Sequence, residues 1–284
     1  IIAYPNTAYT SDSGSEAYNK NNLKGFSKAP YYLSDIFGAP QKITLKPKET
    51  KKVAFTMKMP PKKYKGILEG AFYFLDQSTS AAQATNQKGM AIKNRFALAL
   101  GIVLREDTQT IVSPHLKMNS VKPTIKDTAN FSPAVKANLE NTRPTMISNM
   151  RVKATISKTK GSKAMYTSSQ KNMGMAPNSN FNYSIDWNND ALKAGTYHLH
   201  LVARSGTFKW VFDRNFTITL SQARKINKKA NVVRNWTWLY ILIGILLLIL
   251  IILITYLIGR HAGKKKDSEG KQRHATEKEE HDKK

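Results

Sequence analysis

From Asn235 to Gly259, between Arg234 and Arg260, the sequence reads NWTWLYILIGILLLILIILITYLIG without one charged side chain. A helix crosses the roughly 30 Å hydrocarbon core with about 20 apolar residues, a length that buried core helices seldom reach without a charge. Trp236, Trp238 and Tyr240 at one end and Tyr256 at the other are residues that settle at the headgroup level. The pattern predicts a single membrane span over 236–258. What remains is a large N-terminal region and a short C-terminal tail.

The 284-residue chain has no cysteine, so a disulfide framework and thiolate chemistry are excluded. Its net charge is +26, with 45 Lys and Arg against 19 Asp and Glu. Such a surface attracts polyanions through long-range, salt-dependent fields. Anionic lipid and anionic wall polymers both qualify. Nucleic acid is not expected, because the basic part reads as lying outside the membrane and no helix-turn-helix or RNP-like stretch occurs. The chain opens IIAYPNTAYT, with neither Met nor a charged-then-apolar leader, which reads as a processed chain or a fragment. Arg and Lys flank both ends of the span, and the excess narrowly favours a cytoplasmic C-terminus.

Before residue 221 the dominant period is 2, the signature of strands with one buried face. In KKVAFTMKM, Val53, Phe55 and Met57 share one side, and Pro47 in the preceding LKPKET suits position i+1 of a turn after a short QKITL strand. The apolar runs 66–76 and 94–106 read as central strands, joined by a polar loop, DQSTSAAQATNQKG. Further strands are expected around Leu116 and Met118, Val135 to Leu139, Val152 to Ile156, 163–169, Tyr197 to Ala203 and Trp210 to Ile218. Short strands with turn signals between them indicate antiparallel sandwiches. The predicted fold is therefore all-β, two tandem immunoglobulin-like β-sandwich domains followed by one transmembrane α-helix. The expected boundaries are 1–112 for an N-terminally incomplete first sandwich and 113–220 for the second. A basic juxtamembrane stalk follows over 221–235, able to form a short helix continuous with the span, and a disordered cytoplasmic tail over 259–284.

Motifs of catalysis are missing. There is no G-x-S-x-G elbow, H-E-x-x-H pair, P-loop or dinucleotide fingerprint, and neither an enzyme nor a cofactor is expected. His198 and His200, at i and i+2 of a strand, share a face, but a zinc site needs a third ligand that the sequence does not name; both read as solvent-side residues. Asp186-Trp187-Asn188-Asn189-Asp190 lacks the spacing of a calcium loop and reads as a turn. The densest basic cluster is Lys46, Lys48, Lys51, Lys52, Lys58, Lys62, Lys63 and Lys65, a candidate contact for a wall polyanion or a solvated face that deters edge pairing. No LPxTG precedes the hydrophobic segment, so the span itself reads as the attachment.

NTAYTSDSG (6–14), ITLKPKETKKVAFTMKMP (43–60), YKGILEGAFYF and FALALGIVLRE resemble the peptidoglycan-binding domain of the WxL-interacting proteins of Gram-positive bacteria. NTRPTMISNMRVKATISKTKGSKAMY, KNMGMAPNSNFNYSIDW and LKAGTYHLHLVARSGTFKWVFDRNFTIT resemble the host-binding domain of the same family. Where the family has Pro-Gly in the hairpin turn, this chain has Pro47-Lys48. The resemblance implies a membrane-anchored surface adaptor with three partners: peptidoglycan, secreted WxL-domain proteins, and a host extracellular-matrix protein; teichoic acid is the wall polyanion that the lysine cluster suggests. It implies a single-pass protein of the Gram-positive plasma membrane with its β domains outside. Two alternatives stay open at this point, a wall-modifying enzyme on a β scaffold and a tail-anchored cytoplasmic binding protein.

Overall fold

The computed structural model describes residues 1–77, 95–126, 131–232 and 236–257. The first strands are β1 (Ile2–Thr7), the short pair β2 (Tyr9–Thr10) and β3 (Glu16–Ala17), β4 (Gln41–Lys42), β5 (Ile67–Leu75) and β6 (Ala97–Arg105), with helix α1 (Leu33–Phe37) between β3 and β4. They form one antiparallel sheet ordered β4-β1-β5-β6, with β2 and β3 as a separate hairpin. Leu33 and Ile36 of α1 pack with Tyr64 and Leu68 as its small core. Among the described residues this region is a single sheet backed by α1, not a closed sandwich.

Two expectations for this region change. Residues 51–59 carry the alternation of a strand but join no ladder. Val53 and Phe55 are half-buried, Phe55 stacks on Phe72 at 4.3 Å, and the backbone meets α1 through Lys58 N–H and the Ile36 carbonyl (2.8 Å). Alternation says which side chains face inward; a ladder also needs a free edge alongside, and this segment crosses the elements instead. The second change concerns β6, which was read as central. Among the described residues it pairs only with β5, and Phe96, Leu98, Leu100 and Val103 are exposed.

The predicted turn is present. Glu49 N–H bonds the Lys46 carbonyl (3.1 Å), Pro47 occupies i+1, and Lys48 sits at i+2 with φ of 66°. That value is a type II requirement that glycine meets without Cβ strain. Lys48→Gly is expected to raise the unfolding free energy by about 0.5–1 kcal/mol, read from denaturant melts. Unchanged or lower stability would mean that the turn relaxes elsewhere.

Seven further strands make the larger unit: β7 (Leu116–Ile125), β8 (Pro133–Asn141), β9 (Ile147–Ser157), β10 (Tyr166–Met175), β11 (Asn180–Asp186), β12 (Gly195–Ser205) and β13 (Phe208–Ile218). They form a four-stranded sheet, β10-β9-β12-β13, and a three-stranded sheet, β11-β8-β7. This is the partition of an immunoglobulin-like sandwich. The predicted inward residues meet here: Val135, Ala137 and Leu139 of β8, Val152, Ala154 and Ile156 of β9, and Leu199 and Leu201 of β12 belong to one buried core. Trp187 and Tyr197 fill its centre, each 1 % exposed.

Helix α2 (Leu220–Lys229) follows β13, capped by Thr219, whose hydroxyl accepts from Gln222 N–H. Ala223 is buried in the sandwich core, and Asn227 brackets the Leu192 backbone with two 2.9 Å bonds. The basic segment thus docks on the sandwich rather than standing free as a stalk, and the helix ends at Ala230 in an extended conformation. The segment that would make it continuous with the span, 233–235, and the predicted tail lie outside the described residues.

The first region is tied to the sandwich at several places. Thr10 bonds Ser179 and Ala176, Asp12 pairs with Lys136 (3.0 Å) and accepts from Asn182, Lys28 pairs with Glu140 (2.7 Å), and Asn180 N–H donates to the Phe26 carbonyl. Ile67 N–H reaches the Pro144 carbonyl (2.8 Å) just after Gly66, whose φ is 79° and whose position leaves no room for a Cβ, which would lie 2.3 Å from that same oxygen.

Thr237–Leu257 forms a separate helix of 21 residues with mean hydropathy 3.0. At 1.5 Å per residue it spans about 30 Å, the depth of a bilayer core. Trp236, Trp238, Tyr240 and Tyr256 are all exposed at its two ends, where interfacial aromatics belong.

Candidate functional site

The lysine run maps onto three connected pieces of the first region. Lys46 and Lys48 lie on the turn after β4, Lys51, Lys52 and Lys58 on the extended segment, and Lys62, Lys63 and Lys65 on the connection into β5. All eight are exposed, and none forms an ion pair among the described residues. Unpaired lysines keep their field available to an external polyanion, unlike lysines already neutralised by neighbouring carboxylates.

Beside β1 lies a second feature that charge counting missed, a cleft of about 640 Å³. Its floor is β1, with buried Asn6 donating to the Tyr18 carbonyl (2.8 Å) and to Asn21 Oδ1 (3.0 Å). Its walls are the 20–25 loop and the start of α1, which bring Asn21, Asn22, Lys24 and Tyr32 around one opening. Lys20 Nζ stands 4.5 Å from the Phe26 ring centroid, a cation–π placement that fixes its direction. These residues come from three separate segments, so no linear motif exposes them.

A buried carboxyl sits on β5. Glu69 is 4 % exposed; its Oε1 accepts from Tyr18 Oη (2.9 Å), and its Oε2 has no hydrogen-bond partner among the described residues. Burial, reinforced by the charge of Glu16 and partly opposed by the Tyr18 bond, pushes its pKa up to about 7.

His198 and His200 do share a face of β12, as expected, but His198 is buried rather than solvent-side. The β12–β13 register sets His200 opposite Asp213 and His198 opposite Asn215. His198 bonds Asn215 (2.7 Å) and Asp213 (3.0 Å), and His200 bonds the same Asp213 oxygen (2.9 Å). Hydrogen bonds from His200 and His198 hold the Asp213 carboxyl below the usual carboxylate range. Among the described residues no group of three His, Cys, Asp or Glu is arranged to hold a metal. In the 186–190 segment Asn188 and Asn189 both have positive φ, Asp186 accepts from Asn188 N–H (3.0 Å) and pairs with Lys126, and Asp190 accepts from Tyr166 Oη (3.1 Å). Both carboxylates are occupied within the protein.

Residues 1–76 match the family model described as WxL Interacting Protein, peptidoglycan binding domain, and residues 87–228 match WxL Interacting Protein, host binding domain. The chain belongs to the WxL-interacting protein family. A comparison with curated proteins returns no match. In this member, the lysine run and the cleft fall in the segment matching the peptidoglycan-binding model, while the sandwich and α2 fall in the host-binding match. The host-binding match also takes in β6, which the ladder joins to the first sheet. Both family descriptions are of binding domains, and with the apolar helix at 237–257 they make this a cell-surface binding protein.

Proposed function

We propose that this protein is a membrane-anchored adaptor that grips the Gram-positive cell wall with its first region and offers its sandwich to host extracellular-matrix proteins. Secreted WxL-domain proteins are its further partners. In this reading residues 1–112 and 113–220 act as two binding domains. The predicted span over 236–258 is the permanent attachment, with the β regions outside and the 259–284 tail in the cytoplasm. The observation that carries the wall reading is the run of eight exposed lysines, without ion pairs among the described residues, in the region matching the peptidoglycan-binding model. Peptidoglycan carries carboxylates and its attached teichoic acids carry phosphates, so both are met by such a surface.

Retention on walls bearing teichoic acid is expected to fall steeply between about 0.05 M and about 0.5 M salt, as the screening length shrinks to a few ångströms. Replacing Lys46, Lys48, Lys51 and Lys52 together by glutamine is expected to weaken retention at low salt and flatten that dependence. The measurement is a pull-down of the full chain in detergent micelles with purified walls. No retention at any salt, on walls with or without teichoic acid, would sink the wall reading.

A further inference from the structure

The cleft beside β1 is chemically unlike the lysine run. A phosphate polymer is held by many cations, but the cleft offers two lysines among amides and aromatic rings. We propose that it is the subsite for one repeating unit of peptidoglycan, an N-acetylated disaccharide with its carboxylate-bearing stem peptide. The lysine run is then left to phosphate-rich polymers. This rests on the reading above that the first region binds the wall, and it adds where and through which groups the glycan itself is recognised.

The lining fits, and the volume suits the disaccharide part of such a unit. A cavity of about 640 Å³ lies in the usual range for small-ligand clefts, roughly 300–1,000 Å³. Half-buried Tyr4 and Tyr32 present ring surface with a polar tip, suited to the C–H face of a pyranose and its hydroxyls. Exposed Asn21 and Asn22 supply amides that can both donate to and accept from acetamido and hydroxyl groups. Lys24 is exposed and forms no ion pair among the described residues, which leaves its ammonium for a stem-peptide carboxylate.

The main chain contributes as well. Ile1 and Ile43 exchange both backbone bonds, so odd-numbered residues of β1 face β4 and even-numbered ones face β5. Pairing with β4 stops at Ala3, although β1 continues to Thr7. Pro5 is buried and pairs with Phe72 of β5, but on its other side β4 has ended; there its missing N–H costs nothing, and its carbonyl points to the side that β4 leaves open. An extended peptide amide is the donor that such an edge carbonyl accepts.

The test is titration of the full chain in detergent micelles with soluble disaccharide–pentapeptide, released by muramidase from walls stripped of teichoic acid. Saturable binding is expected, little changed between about 0.05 M and about 0.5 M salt because few charges take part. Lys24→Gln and Tyr32→Leu are each expected to weaken it about tenfold at an unaltered thermal midpoint. Full affinity in both variants, or capture only by walls still carrying teichoic acid, would overturn the cleft assignment while leaving the wall reading standing. Failure of the unaltered protein on every wall preparation would instead remove the wall reading, and the cleft assignment with it.

Discussion

Trp187→Ala is expected to lower the unfolding free energy by about 3–5 kcal/mol, the largest effect of any single substitution considered. Trp187 is 1 % exposed, stacks on Tyr166 at 4.0 Å between ring centroids and meets Tyr197 edge-on at 5.4 Å. Its removal strips the transfer energy of the indole and leaves a cavity that neighbouring rings cannot close. Tyr166 is held by its bond to Asp190, and Tyr197 by its bond to the Lys193 carbonyl (2.9 Å). The cost exceeds what an exposed aromatic would give because close-packed neighbours relax only in part. Urea melts of the full chain in micelles, followed by near-ultraviolet circular dichroism, measure it. A loss under about 1 kcal/mol would contradict the packing described.

The second large effect is a dependence of stability on pH. Glu69 has an ordinary pKa of 4.5 and one of about 7 in the fold, so the native state holds a proton that the unfolded chain has released. Stability from this group is complete below about pH 4.5 and is lost as pH rises through about 7, by about 3 kcal/mol for a shift of this size. Burial also raises Glu16, so its contribution has the same sign. Glu69→Gln keeps an acceptor for Tyr18 and cannot ionise. It is expected to remove most of the slope between pH 4.5 and 7 and to outlast the parent at pH 8. An unchanged slope in that variant would mean that Glu69 is ionised throughout and the dependence arises elsewhere.

Strands whose two faces see different surroundings were readable. In β9 the inward residues Val152, Ala154 and Ile156 alternate with Arg151, Lys153 and Thr155, because one face meets the core and the other water. Residues 51–59 carried the same signal without becoming a strand, since a period of 2 records burial and says nothing about the edge a ladder requires. Apolar FALALGIVLRE looked like the middle of a sheet because composition cannot tell a strand covered on both sides from one left at an edge.

Sites followed the same logic. The lysine run was legible, being contiguous. Asp213 as partner of both histidines was not, because it depends on the register of β12 against β13. Nor was the cleft, assembled from β1, the 20–25 loop and α1. The family strings identified the chain more sharply than either pattern, since they fix many positions at once.

The ties between the first region and the sandwich have a mechanical consequence. Lys28 to Glu140, Asp12 to Lys136, Thr10 to Ser179 and Ile67 to Pro144 are spread over a broad seam, so no single strap serves as a pivot. The surfaces proposed for wall and host are therefore held at a set separation, like marks on a ruler instead of beads on a string. A tethered pair gains from double engagement only when its span matches the spacing of its targets. Such a molecule would measure the gap between wall and host ligand, and tolerate little slack in it.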